Sequence, residues 1–379
     1  MTKFQYGENM KKGNLELNYG KIAERIAQGL NVEPGEYIRI SGGIHQYELL
    51  SRVAFHVSEA GGFPDITVVS DESIKKIAED LPEKYLDRKA NQHDRYMASL
   101  YDAEITIQAI LDEKLLADVP IDRMKLGMMR GMELKQLAKT RRRRVIIMAW
   151  PTKQKAKSCN MKQDDFEKLF LNAMYTDLDK MNKLGASIWK ILNKGGNTRI
   201  TSKKGTDLTF EIDPARRVMI DSGYFNKDMV ERGDITKNLP CGEVYTTALE
   251  ETVEGTAIFD LVYVNGNPVK DLKLVFKDGK IVEATAATGI KLFHQIYDRA
   301  FGDKDRIGEL GIGINPVLKK PIGHSLLDEK IFGSIHLAIG ENRMYGGVND
   351  SSLHWDLVML KSTVKVGKKT IIQNGKFMI

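Results

Sequence analysis

Two of the seven histidines, His336 and His354, lie within nineteen residues of each other, in the apolar runs Gly333-Ser-Ile-His-Leu-Ala-Ile-Gly340 and Leu353-His-Trp-Asp-Leu-Val-Met-Leu360. A histidine in an apolar strand is ordinarily a satisfied core residue. Here a carboxylate follows two positions later. The period of two in a strand points the His354 imidazole and the Asp356 carboxylate to one face and Trp355 to the other, a usable pair of metal ligands. The turn-rich segment Glu341-Asn-Arg-Met-Tyr-Gly-Gly-Val-Asn-Asp350 lets the two runs return to each other and bring His336 toward His354.

Two further carboxylates complete a constellation. Glu243 sits in Pro240-Cys-Gly-Glu-Val-Tyr-Thr246 and Glu309 in Gly308-Glu-Leu-Gly-Ile-Gly-Ile-Asn-Pro316, each among glycines and apolar residues where an acid needs a partner. Three carboxylates and two imidazoles form a mixed oxygen and nitrogen donor set of the kind that holds zinc, cobalt or manganese. It offers enough donors for two ions if one carboxylate bridges. The glycines at 308, 311 and 313 do not follow the order of a dinucleotide loop, and no Walker lysine motif occurs, so nucleotide binding is discounted.

Such a site needs strands to carry it, and the pattern of elements supplies them in two parts. A helix over Lys21–Leu30 is followed by a strand at Tyr37–Ile40, a helix over Gln46–Ala60 and a strand at Ile66–Ser70, the last three forming a βαβ unit. Apolar runs at Ile105–Ile110 and Val145–Trp150 extend this to a four-stranded, mostly parallel sheet covered by helices. Phe166, Leu169, Phe170, Ala173, Met174, Leu178 and Met181 mark one amphipathic helix. After Gly195 the texture changes to short alternating strands at Arg199–Ser202, Asp207–Ile212, Ile258–Val264, Leu272–Lys277 and Lys280–Ala284, with an Asp278-Gly279 hairpin signal. The expected architecture is an α/β domain over 1–194 and a β-rich α+β metal-binding domain over 195–379.

Composition bounds the function. The chain has 379 residues, 42% of them hydrophobic, ample for two cores. Cys159 and Cys241 are its only cysteines and stand in unrelated contexts, which argues against a disulfide framework or a cysteine zinc site and for a reducing compartment. No stretch approaches the roughly 18 apolar residues of a membrane span and no signal peptide is visible, so a cytoplasmic protein is expected. The net charge of +6 and the run Arg141 to Arg144 raise nucleic-acid binding as an alternative. The run lacks interleaved aromatics and closes an expected helix, Glu133–Lys139, whose negative end cations would suit.

Taken in order, these segments resemble the aminopeptidase T family of thermophilic metalloproteases, over nearly the whole chain. The resemblance is carried by Pro34-Gly-Glu36, Ala149-Trp-Pro-Thr152, Pro240-Cys-Gly-Glu-Val-Tyr-Thr246, Glu309-Leu-Gly-Ile-Gly313, Leu327-Asp-Glu-Lys330, Ile335-His-Leu-Ala-Ile-Gly340 and Leu353-His-Trp-Asp356. It implies a two-domain homodimer that binds two divalent metal ions (zinc, cobalt, manganese or magnesium) through Glu243, Glu309, His336, His354 and Asp356. The substrates implied are peptides with a free N-terminus. A tyrosine accompanies the metals in this family, and Tyr345 is the candidate, although the loop after Gly340 is longer than the common pattern. After Thr246 the usual proline is replaced by Thr247 and Ala248. On this reading a metal-activated water attacks the peptide carbonyl, Glu309 or Glu250 moves the proton to the leaving amine, and Tyr345 stabilises the oxyanion. The competing readings are a metal-dependent amidohydrolase of non-peptide amides and a non-catalytic protein that holds an anionic partner.

Overall fold

Asn18 opens the first helix, Tyr19–Leu30, its side chain accepting from the Lys21 amide at 3.1 Å, and the left-handed Asn31 closes it. The computed structural model describes residues 18–379, apart from 87–88, 112–114, 117, 121, 125, 127–130, 132, 135–142 and 265. The expected βαβ unit is present as the strand Tyr37–Gly43, the helix Tyr47–Glu59 and the strand Phe63–Val69, with the two strands parallel. Gly61, at φ +85°, turns the chain out of the helix in a conformation that costs other residues about 1–2 kcal/mol.

The parallel sheet has five strands, not four. Its order is Phe63–Val69, Tyr37–Gly43, Ala103–Ile107, Arg144–Met148 and then Thr236–Leu239, which returns from far along the chain to pair in parallel with Arg144–Met148. The single amphipathic helix expected after Asp165 is two helices, Gln163–Met174 and Leu178–Leu192. Asp177 breaks it by capping the second, accepting from the Lys180 amide at 3.1 Å.

The remainder is antiparallel. An eight-stranded sheet runs Lys280–Thr285, Asn267–Lys277, Glu254–Val264, Asp207–Ile212, Gly196–Thr201, Thr363–Val366, Lys369–Gln373 and Lys376–Phe377. Asp278 and Gly279 make its predicted hairpin turn with positive φ at both positions. A five-stranded sheet runs His354–Met359, Ile335–Gly340, Ile307–Gly313, Glu243–Thr246 and Met219–Asp221. The two sheets share one core, in which Ile200, Leu208 and Phe210 of the first meet Ile312, Leu337 and Leu357 of the second. Each such side chain contributes roughly 1.5–3 kcal/mol on burial.

The helix expected at Glu133–Lys139 and the arginines at 141 and 142 lie wholly or largely outside the described residues. The other half of the arginine run is structural. Arg143 is buried and donates to the Ala98 carbonyl, with Glu104 at 3.5 Å. Arg144 donates to the Leu30 and Asn31 carbonyls at 3.0 and 2.8 Å and pairs with Glu36. Arg144 thus sits at the carboxyl end of the first helix, where a cation is favoured. Among the described residues no helix is long and apolar enough to cross a membrane.

Candidate metal centre

Four neighbouring strands of the five-stranded sheet each present ligand-type side chains to one space. Ala338 pairs with both Glu309 and Asp356, Gly340 pairs with His354, and Gly313 pairs with Glu243, so the register brings together residues from four distant segments. His336 Nε2 lies 3.0 Å from Glu309 Oε1, 3.5 Å from Glu243 Oε2 and 3.9 Å from Asp356 Oδ1. His354 Nε2 lies 3.5 Å from both Glu309 Oε2 and Asp356 Oδ1. Two overlapping groups result, Glu243, Glu309 and His336 in one and Glu309, His354 and Asp356 in the other, with Glu309 common to both. Trp355 turns away and stacks on Phe293 at 5.5 Å, as the alternation requires.

Both imidazoles are oriented from behind. The Nδ1–H of His336 donates to the Glu329 carbonyl at 3.2 Å and that of His354 to the Glu341 carbonyl at 2.7 Å, which leaves each Nε2 toward the cluster. Buried oxygens that accept no hydrogen bond remain: Oε2 of Glu243 and Oδ1 of Asp356. Unpaired buried oxygens of ionised acids are costly, and a cation between the two groups satisfies them, so the residues present fit a metal site. Of the five, His354 is the most open, with 26% of its side chain exposed, and marks the solvent side.

Sequence reasoning missed the charge that backs the cluster. Lys330 is fully buried, its ammonium 3.0 Å from Glu243 Oε1, 3.5 Å from Asp221 Oδ2 and in contact with Glu329. Three carboxylates therefore share one ammonium, and Glu309 and Asp356 add two more acids in the adjoining cluster, so full ionisation leaves negative charge uncompensated. The folded chain offsets it with protons. Burial pushes Asp221 up to about 7 and raises Glu309 and Glu329. Against the burial that disfavours its charge, Glu309, Asp356 and Glu243 raise His336 to about 10, and Asp356 and Glu309 raise His354 likewise. Burial opposes ionisation of Asp356 too, but His354 beside it holds the carboxyl below the usual carboxylate range.

Because protons stand where cations would bind, loading has to expel them. Titration calorimetry of the metal-free protein with zinc at neutral pH should show release of about two protons per chain, and the affinity should fall as pH drops from about 9 to about 6. A binding heat that does not change with the ionisation enthalpy of the buffer would sink this account.

The remaining sequence candidates lie around this cluster. Tyr345 ends the short 3₁₀ turn Arg343–Tyr345, its ring 5.5 Å from that of His354 and 5.4 Å edge-on from Tyr245. Burial, then Glu309 and Asp356, raise its phenol well above the ordinary tyrosine value, so it keeps its proton at neutral pH. Glu250 is buried and its carboxylate is fully engaged elsewhere. Arg216 donates to Oε2 at 2.7 Å, and Asn342 Nδ2 and the Val348 amide donate to Oε1 at 2.7 and 2.9 Å. Glycines in the Glu309 strand carried a signal for close approach. At Gly311 a Cβ would lie 1.9 Å from His336 Cε1.

Known proteins match this chain in three ways. The family model for the thermophilic metalloproteases (M29) matches residues 17–377. The aminopeptidase PepS of Streptococcus thermophilus is 27% identical over 203 residues, and the aminopeptidase AmpS of Bacillus subtilis (strain 168) is 26% identical over 202. Each of these matches covers 46% of this chain and 47% of the relative, about half the length of either. Among solved structures, wild-type AmpT from Thermus thermophilus superposes with a TM-score of 0.76 at 19% identity, covering 96% of this chain and 99% of that one. A 2,5-dihydroxypyridine dioxygenase from Pseudomonas putida KT2440 superposes with a TM-score of 0.64 at 11% identity, covering 96% and 98%. Both likenesses are of fold, and both include the α/β part with its parallel sheet and the β-rich antiparallel part.

Proposed function

The chain belongs to the thermophilic metalloprotease (M29) family, and from that premise we propose that it is a metal-dependent aminopeptidase which removes N-terminal residues from peptides. In this reading residues 195–379 carry the chemistry and residues 1–194 shape the approach to it. The observation that carries the reading is the convergence of Glu243, Glu309, His336, His354 and Asp356 with buried oxygens left unpaired. The two overlapping ligand groups that share Glu309 support a dinuclear centre over a single ion.

Divalent cations supply the Lewis acidity, making water a nucleophile near neutral pH and polarising a carbonyl. The chain's own residues do the rest. Glu243, His336, His354, Asp356 and Glu309 would hold the cations. Glu309, common to both groups, is placed to take a proton from water and deliver it to the departing amine. The Tyr345 phenol, kept protonated, donates to the oxyanion of the tetrahedral intermediate.

His336, His354 and Asp356 alone are also the donor set of mononuclear non-haem iron sites, a second reading that their convergence on Asp356 Oδ1 favours. Glu243 and Glu309 in the same space argue against it.

Chelated protein should be inactive on aminoacyl anilides and short peptides. It should recover with zinc, cobalt, manganese or magnesium, and fail on substrates whose α-amino group is blocked. Equal rates on blocked amides would favour an amidohydrolase. Recovery with ferrous iron alone, or with no metal, would sink the proposal.

A further inference from the structure

The loop that carries Tyr345 is held by a set of side-chain hydrogen bonds. Residues 342–349 fold around Asn342, a fully buried amide whose Oδ1 accepts from the Asn349 backbone amide at 2.8 Å. Its Nδ2 donates to Thr247 Oγ1 at 2.8 Å and to Glu250 Oε1 at 2.7 Å. Gly347 packs so closely on this side chain that a Cβ there would lie 2.1 Å from Asn342 Cγ. Asn349, buried as well, donates to the Ile307 and Gly340 carbonyls, each at 3.0 Å, and pins the far end of the loop to the sheet.

At the centre stands Glu250. One carboxylate oxygen takes both the Asn342 amide and the Val348 backbone N–H, so it fixes the loop before and after Tyr345. The other takes Arg216, which also donates to the Gly346 carbonyl. With the side chains of Glu250 and Arg216 1% and 12% exposed, water competes weakly for these bonds. A carboxylate that gathers donors from Arg216 and from both ends of the 342–349 loop is a strong local anchor.

We propose that Glu250 is a positioning residue: its carboxylate sets the 342–349 loop and thereby holds the Tyr345 phenol beside His354. This gives Glu250 no part in moving the proton, and it rests on the reading of Tyr345 as oxyanion donor.

The test uses the full chain with Glu250→Gln, Tyr345→Phe and the double variant. Glu250→Gln should lower kcat about 10- to 100-fold, with KM and bound metal unchanged, because a misplacement of about 1 Å costs that much. In the metal-free protein the amides of residues 342–349 should exchange hydrogen several-fold faster, a readout independent of turnover. The double variant should be no slower than Tyr345→Phe alone, since both changes remove one interaction. Arg216→Gln, which keeps the Asn342 and Val348 bonds, should give the same pattern more weakly and serves if Glu250→Gln does not fold. Losses that multiply in the double variant, loss of metal from Glu250→Gln, or unchanged loop exchange would each overturn the inference while leaving the aminopeptidase reading intact. Wild-type kcat in Tyr345→Phe would overturn the role of Tyr345, and this inference with it.

Discussion

Gly311→Ala should reduce peptide hydrolysis by about 100-fold or more and weaken metal binding by about 10- to 100-fold, although it adds one methyl group. Gly311 pairs with His336 on one side and Tyr245 on the other. A Cβ at this position would stand 1.9 Å from His336 Cε1 and 2.0 Å from Nε2. The imidazole has no slack to take up the collision. Its Nδ1–H is committed to the Glu329 carbonyl, and the side chain is buried on all sides. The ring must therefore tilt out of the cluster or the strands must separate. Metal titration and kcat/KM on an aminoacyl anilide, with circular dichroism to show that the fold persists, would check this. Wild-type metal affinity in a folded Gly311→Ala protein would refute the packing argument.

Lys330→Met should have the largest effect on stability. Removing one partner of a buried ion pair leaves the others uncompensated and costs about 3–5 kcal/mol. Here three carboxylates share the one ammonium. In chelator the variant should unfold at much lower urea than the parent, or fail to fold. Excess zinc should recover much of the difference, because a cation that binds only the folded state stabilises it by mass action and replaces part of the missing charge. Equal urea midpoints for variant and parent in chelator would show that Lys330 does not balance the site. The pH dependence provides a sign check on the same electrostatics. The folded value of His336, about 10, lies above its ordinary 6.5, so the stability it contributes to the metal-free protein is complete below 6.5 and is lost as pH rises through 10.

The sequence made the ligand residues legible because their signals are local. His354 and Asp356 declare themselves by the period of a strand, and Asp278-Gly279 by the backbone conformation a tight hairpin requires. Lys330 was illegible as part of the site because lysine is normally solvated. Its burial depends on Asp221, Glu243 and Glu329 arriving from three places in the sequence. Thr236–Leu239 has no apolar alternation to read. Its Lys237 is buried with its ammonium on Asp234 at 2.6 Å and the Ile220 carbonyl at 2.7 Å. The apolar stripe of Gln163–Met174 runs on past Tyr175, and only the capping preference of Asp177 marks the break. Glu250 drew a chemical role because its segment resembles those that form the site. Its partners, Arg216 and Asn342, are 34 and 92 positions away and no local pattern announces them. The glycine spacing around Glu309 excluded a nucleotide loop but did not say what it served, which is room for an imidazole from the neighbouring strand.

The strand Thr236–Leu239 closes the parallel sheet, and the strand that carries Glu243 begins only a few residues later. One short ribbon of backbone thus belongs to both layers. For inheritance this means that the two parts are not exchangeable modules. A recombination event that joined the first 194 residues to a different partner would discard the edge strand of the parallel sheet, and one that kept the strand would carry a metal ligand along with it. The halves can diverge in sequence, but they must descend together.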